Sequence, residues 1–262
     1  MKRSTTWAVI ILVFFLAAAT LVLWASQDHT SSTGNILYQV STKSALSGGS
    51  FGGVITAGEL KQHGDFGLGT FEGLDGEMIV VNGSIYHATY DGKVSVAGDN
   101  ASIPFAQVTY FKADRTVPVN VSAEVTHYGA NATVTVNSPY NYTQLVSVLN
   151  TYIPPNGTFY AIRIDGNFSY MKIRAAPGEE PPYTSLTDAL KNESIFELHN
   201  VSGTLVGIYS PEYSDGIGFP GYHFHFISDD RTHGGHVYDF TADGEDAQLD
   251  TIPGFYLDLE NQ

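Results

Sequence analysis

The chain has 262 residues, with 27 acidic against 12 basic side chains and a formal net charge of −15. So acidic a chain is a poor partner for nucleic acid, which demands Lys and Arg against phosphate. Cysteine is absent, which excludes disulfides, zinc ribbons and thiol nucleophiles and leaves any transition-metal site to His and carboxylates. The length supports a sizeable core, and abundant Tyr, Phe and Gly beside scarce Lys and Arg favour strands joined by tight turns.

Lys2 and Arg3 precede an apolar run over residues 7–25. That run is close to the length that crosses a bilayer, and basic residues ahead of it keep the amino end in the cytoplasm. Residues 1–26 therefore read as a signal anchor or a cleaved signal peptide. The membrane would be met through this segment, and the remainder is expected to be extracytoplasmic, membrane-anchored or secreted. Asn82, Asn100, Asn120, Asn131, Asn141, Asn156, Asn167, Asn192 and Asn200 each begin an Asn-x-Ser/Thr triplet. Their density agrees with an exterior glycoprotein. Polar residues 27–35 read as a linker, and 36–262 as the folded domain.

Residues 36–40 begin that domain as a strand. Thr56-Ala57-Gly58-Glu59 has the capping-box pattern, opening a short helix that should stop at Gly64. Runs 77–81 and 84–90 flank Asn82-Gly83, a strong hairpin signal. Residues 108–125 alternate in strand fashion for much of their length. Residues 141–152 carry Leu145, Val146, Val148 and Leu149 at helical spacing, and Pro154-Pro155 ends that helix. Asp165-Gly166 between runs 159–164 and 168–173 reads as a second hairpin. Ser185 caps a short helix ending near Asn192. Strands follow over 203–209, 222–227, 236–240 and 254–259. The sum is an α+β chain of mixed β-sheets with a few short helices.

Chemistry concentrates in Tyr222-His223-Phe224-His225-Phe226 and in His236. On one strand His223 and His225 share a face, while Phe224 and Phe226 enter the core. A polar, Gly-rich turn centred on Asp230 and Arg231 returns the chain and sets His236 opposite His225. Three imidazoles then converge at a reach suited to zinc, and three neutral ligands leave the ion an open, catalytic position. Scattered surface or core histidines are the plainer alternative, but burying three imidazoles together without a metal is unfavourable. His233 lies in the turn and is read as a bystander. Glu77 follows the Gly-rich stretch 64–76 at a strand start, sharing a face with Ile79 and Val81. It is either an edge residue or a site residue. Arg174 ends a strand before Ala175-Ala176-Pro177. It suits either an acidic neighbour or a substrate carboxylate gripped by its bidentate fork.

Residues 37–42, 64–77, 159–166, 221–226 and 234–240 together resemble the α-acetolactate decarboxylase family, over nearly the whole of residues 36–259. The resemblance implies a two-part fold of mixed sheets, commonly paired as a homodimer. It implies conversion of 2-acetolactate, a small 2-hydroxy-3-keto acid, to acetoin and carbon dioxide. By the same resemblance His223, His225 and His236 hold Zn2+, Glu77 is the catalytic glutamate, and Arg174 rather than Arg163 is the active-site arginine. Thr70 lines the pocket. The family continues past the strand at 254–259 into a tail that brings in a second glutamate, for which neither Glu260 nor Glu245 is an obvious replacement. Residues 119–139 also look longer than the family's norm. Two other readings stay open: a cupin-like oxygenase, which also uses His-x-His and a distant His, and a non-catalytic exterior domain that keeps the metal.

Overall fold

The computed structural model describes residues 35–119, 122–127, 130–135 and 139–259. The amino half supplies β1 (Ile36–Val40), β2 (Ile55–Thr56), β3 (Phe66–Thr70), β4 (Glu77–Val81), β5 (Ser84–Ala88), β6 (Val94–Val96), β7 (Ser102–Ile103) and β8 (Phe105–Thr109). Next come β9 (Arg115–Pro118), β10 (Ser122–His127), β11 (Ala130–Thr135), β12 (Tyr140–Asn141) and β13 (Phe159–Ala175). The last strands are β14 (Ser194–Ser210), β15 (Gly221–Ser228), β16 (Gly234–Ala242), β17 (Asp246–Ile252) and β18 (Gly254–Asp258). One seven-stranded sheet has the order β18-β1-β8-β3-β4-β5-β6, and another has the order β12-β16-β15-β14-β13-β17-β9. β18 joins β1 in parallel while β1 and β8 are antiparallel, so the first sheet is mixed. With few and short helices, the architecture is α+β, as the composition implies.

Strand alternation explains how the layers stack. Leu68, Ile79 and Val81 of the first sheet meet Val206, Ile208 and Ile227 of the second in one buried cluster. Met78 and Val80 point the other way and pack with Ala57 and Leu60 of the helix Ala57–Leu60. On the far face of the second sheet, Phe168, Phe224, Phe226 and Phe240 pack with Leu145, Val148 and Leu149 of the helix Tyr142–Tyr152. Each such fully buried side chain contributes about 1.5–3 kcal/mol. β13 pairs with β14 along its length and with β16 over Phe168–Arg174, so β13, β14, β15 and β16 close into a ring. That closure carries the end of β13 to the imidazole hairpin.

Local signals are honoured where no longer-range pairing competes. Thr56 and Glu59 form the capping box, although its helix ends at Leu60, short of Gly64. Asn141 and Gln144 form another at the helix Tyr142–Tyr152. Asn82 and Gly83 turn at φ of 53° and 75°, the left-handed pair that a tight hairpin needs. Residues 108–125 are not one strand but the end of β8, all of β9 and the start of β10. Among the longer strands, β3, β11 and β17 were not anticipated.

Two expectations need correction. Asp165-Gly166 makes no hairpin: β13 runs straight through it, with Asp165 opposite Thr204 and Gly166 opposite Gly203. The Asp165 carboxylate accepts from Arg163 Nε at 2.7 Å and from Thr204 Oγ1 at 2.6 Å. Pairing with a 17-residue partner outweighs the local turn preference. The expected extracytoplasmic, membrane-anchored or secreted placement is also not supported by the structure: no helix among the described residues is long and apolar enough to cross a membrane. The run at 7–25 and the linker to 34 lie outside the described residues. Three of the triplet asparagines serve the fold through their side chains. Asn82 accepts from Arg163, Asn141 caps a helix, and Asn167 accepts from Ser202.

Candidate active site

β15 exposes one edge of its pleat to the layer between the sheets, and His223 and His225 lie on that face while Phe224 and Phe226 are buried on the other. His236 is directly opposite His225, and Arg174 is directly opposite His236. Side chains in one cross-strand row point the same way, so β13, β15 and β16 deliver a guanidinium and two imidazoles to one surface. Gly235 permits the approach: a Cβ there would lie 2.6 Å from the Arg174 carbonyl oxygen.

The three imidazoles offer ligand nitrogens that all lie within 4.8 Å of one another. His223 Nε2 stands 3.0 Å from His236 Nδ1. His225 Nδ1 donates to the Met78 carbonyl at 2.8 Å. That bond fixes the tautomer and turns the Nε2 lone pair inward, the usual support for a ligating histidine. His225 Nε2 and His223 Nδ1 are buried without hydrogen-bond partners, which is costly unless something binds them. Burial holds the His223 imidazole down to about 3, with Arg174's charge assisting. Burial likewise keeps His225 and His236 well below the ordinary imidazole value. All three are therefore neutral at neutral pH, the protonation state that ligates a metal. The donor set and the unpartnered nitrogens fit a metal ion.

Glu77 arrives from the other sheet. Gly76, at φ 69°, turns the chain where a Cβ would come within 2.3 Å of the Ala88 carbonyl oxygen. Thr70, paired with Glu77 across β3 and β4, donates its hydroxyl to Gly76 O at 2.7 Å. Gly76 N donates to Ala176 O at 3.2 Å, and Asp75 bridges Pro177. These contacts tie the start of β4 to the end of β13. Glu77 is buried, at 4% exposure, with Oε2 3.4 Å from His225 Nε2 and Oε1 hydrogen-bonded to Arg174 Nη1. Burial pushes its carboxyl up to about 7 against the opposing pull of Arg174.

His223, His225, His236, Glu77 and Arg174 are thus brought together, with Thr70 one step behind Glu77. Arg163 is elsewhere, bound to Asp165 and Asn82. His233 stays in the turn against Thr232. Glu245 accepts from Asn167 N near the middle of β13, and Glu260 is outside the described residues. Glu193 was not singled out from sequence, yet its Oε2 lies 3.4 Å from Arg174 Nε while Tyr238 donates to its Oε1 at 2.5 Å. Nothing in the local sequence marks it, because its neighbours come from β13 and β16.

The family profile described as Alpha-acetolactate decarboxylase matches residues 37–124 and 121–262. The chain is 43% identical over 232 residues to an alpha-acetolactate decarboxylase of Methanosarcina mazei, covering 88% of this chain and 75% of that one. It is 36% identical over 226 residues to that of Brevibacillus brevis, covering 86% and 73%. The crystal structure of alpha-acetolactate decarboxylase from Bacillus subtilis strain 168 superposes with a TM-score of 0.77 at 33% identity, covering 87% of this chain and 90% of that one. With this coverage and a fold shared at that similarity, the chain belongs to the alpha-acetolactate decarboxylase family of decarboxylating lyases.

Proposed function

We propose that the chain carries out zinc-dependent decarboxylation of 2-acetolactate to acetoin and carbon dioxide, with His223, His225 and His236 holding the ion. The observation that carries the reading is the convergence of three neutral imidazoles, two of them with buried ring nitrogens that have no partner. Zinc bound there would keep an open position and supply Lewis acidity toward the substrate's oxygens.

The chain's own residues supply the rest. Arg174 grips the substrate carboxylate with its planar fork, next to the imidazoles. When the carbon–carbon bond to carbon dioxide breaks, its electron pair passes to the neighbouring ketone, leaving an enediolate. Arg174 then faces developing negative charge, and a cation fixed in a low-dielectric site stabilises that charge strongly. Glu77 moves the proton: its Oε2 side faces the imidazoles while Arg174 holds Oε1, so a proton at Oε2 reaches the carbon from one face only. Thr70 commits its hydroxyl to Gly76 and so keeps the turn that presents Glu77. The apolar layer below, with Val206 and Ile227, excludes water that would compete for the proton.

Zinc analysis of the purified chain, paired with an acetoin assay on racemic acetolactate, tests this reading. About one zinc per chain and zinc-dependent acetoin formation are expected. A metal-free chain that still forms acetoin would overturn it.

A further inference from the structure

Arg174 has two carboxylates, and the site chemistry above uses only one. Glu77 takes Nη1, while Glu193 Oε2 lies 3.4 Å from Nε. The Glu193 side chain is 16% exposed and that of Arg174 12%. Glu193 Oε2 is buried and has no hydrogen-bond partner, so its contact with the guanidinium is an ion pair, and no rival donor draws it away.

The backbone places Glu193 firmly. It immediately precedes β14, whose Ser194 pairs with Ala175 and whose Ile195 pairs with Arg174. Its other oxygen is held by Tyr238, 2.5 Å away. Tyr238 owes its aim to an irregularity in β16: Val237 pairs with Ile173 and Asp239 with Lys172, so Tyr238 is the extra residue of a bulge. Bulges beside active sites commonly re-aim one side chain. Here the redirected hydroxyl points at Glu193.

We propose that Glu193, anchored by Tyr238, is a positioning residue that holds the Nε edge of Arg174 and so fixes the plane in which the guanidinium meets the substrate carboxylate. The proposal rests on Arg174 being the substrate clamp. A guanidinium carries five N–H donors in one plane. A single contact at Nη1 leaves that plane free to reorient through the Cγ–Cδ and Cδ–Nε torsions, and a second contact at Nε restrains it. The same carboxylate has an opposing effect on affinity, because surplus negative charge beside Arg174 weakens attraction for an anionic substrate. Removing the charge while keeping the shape therefore has a signature of its own: weaker catalysis together with tighter binding.

The test uses the full chain, zinc-loaded, as wild type, Glu193→Gln, Tyr238→Phe and the double variant. Zinc content, kcat and KM for acetolactate are measured with the 15N–1H signal of the Arg174 Nε group. Glu193→Gln should keep its zinc, lose about tenfold or more in kcat, as misplaced reacting groups do, and show a lower KM. The Arg174 Nε signal should shift or broaden by exchange. Tyr238→Phe should move every readout in the same direction by less, and the double variant should be no worse than Glu193→Gln, since the two act as one unit. A Glu193→Gln chain with wild-type kcat and an unmoved Nε signal would overturn the proposal. So would a raised KM at unchanged kcat. A wild-type chain that forms no acetoin would sink the clamp reading instead. The Nε signal alone would then decide whether Glu193 holds Arg174.

Discussion

The site is made of two halves built in different ways. The imidazole half is local: β15 and β16 are one hairpin, and His225 faces His236 across it. From the other sheet, the Met78 carbonyl accepts from His225. The acid–base half is assembled from afar. Glu77 comes from the first sheet, Arg174 from the end of β13 and Glu193 from the turn before β14, and each is buried or nearly so. If the imidazoles hold a metal as proposed, that ion should persist in a chain whose Glu77 or Arg174 has been replaced.

Substitutions can break that comparison. The largest effect is expected from His225→Ala, which removes a proposed ligand and the tautomer-fixing bond together. Two imidazoles hold zinc poorly, so most of the metal and essentially all acetoin formation should be lost. Full zinc content in that variant would remove His225 from the ligand set. A smaller effect is expected from Arg174→Lys, which keeps the charge but not the planar fork. Turnover should fall by about 10–100-fold, within the range for misplaced substrate-positioning groups, with zinc retained. Arg163→Lys is the matched control, because Arg163 binds Asp165 and Asn82 away from the imidazoles. Should the Arg163 variant be the impaired one, the two arginines have been assigned the wrong way round.

The smallest effect concerns stability and lies outside both halves. Asp250 is 3% exposed, and burial pushes its carboxyl up to about 6, with Asp114 and Asp65 adding to the shift. Asn35 and the backbone of Lys112 oppose it by hydrogen bonding to Asp250 Oδ2. A carboxyl raised in the folded chain stabilises the fold fully below its unfolded value of 3.8, and loses that contribution as pH climbs through about 6. Asp250→Asn keeps an acceptor for both donors and carries no charge. It should unfold at higher denaturant than wild type at pH 7, by about 1–3 kcal/mol, and the gap should close toward pH 4. A gap that is constant with pH would mean that Asp250 does not titrate as the fold implies.

The two halves also differed in how far they could be read from sequence. His-x-His on an alternating strand, a Gly-rich turn and a third His carry their own geometry, and the observed pairing of His225 with His236 is the one that a turn centred on Asp230 and Arg231 requires. Glu77 and Arg174 were legible only through the family resemblance, because alternation left each with two readings. Glu193 and Tyr238 were not legible at all: one depends on strand pairing with β13, the other on a bulge. Asp165-Gly166 shows the same limit in the fold. Its composition suits a hairpin, yet pairing with Thr204 and Gly203 keeps it extended. Asn82-Gly83, with only the neighbouring strands β4 and β5 to join, turns as its composition suggests.

The measurement that tests the account most directly is zinc content and acetoin turnover in the same preparations of wild type and Glu77→Gln. The amide keeps the size and the contact with Arg174 but cannot deliver a proton as the carboxyl does. If the metal centre and the acid–base half are separable as described, the variant binds about one zinc per chain, like wild type, and turnover falls by roughly 10²–10⁴-fold, as it does when a positioned proton donor is lost. Wild-type turnover in zinc-loaded Glu77→Gln would contradict the account by taking Glu77 out of the reaction.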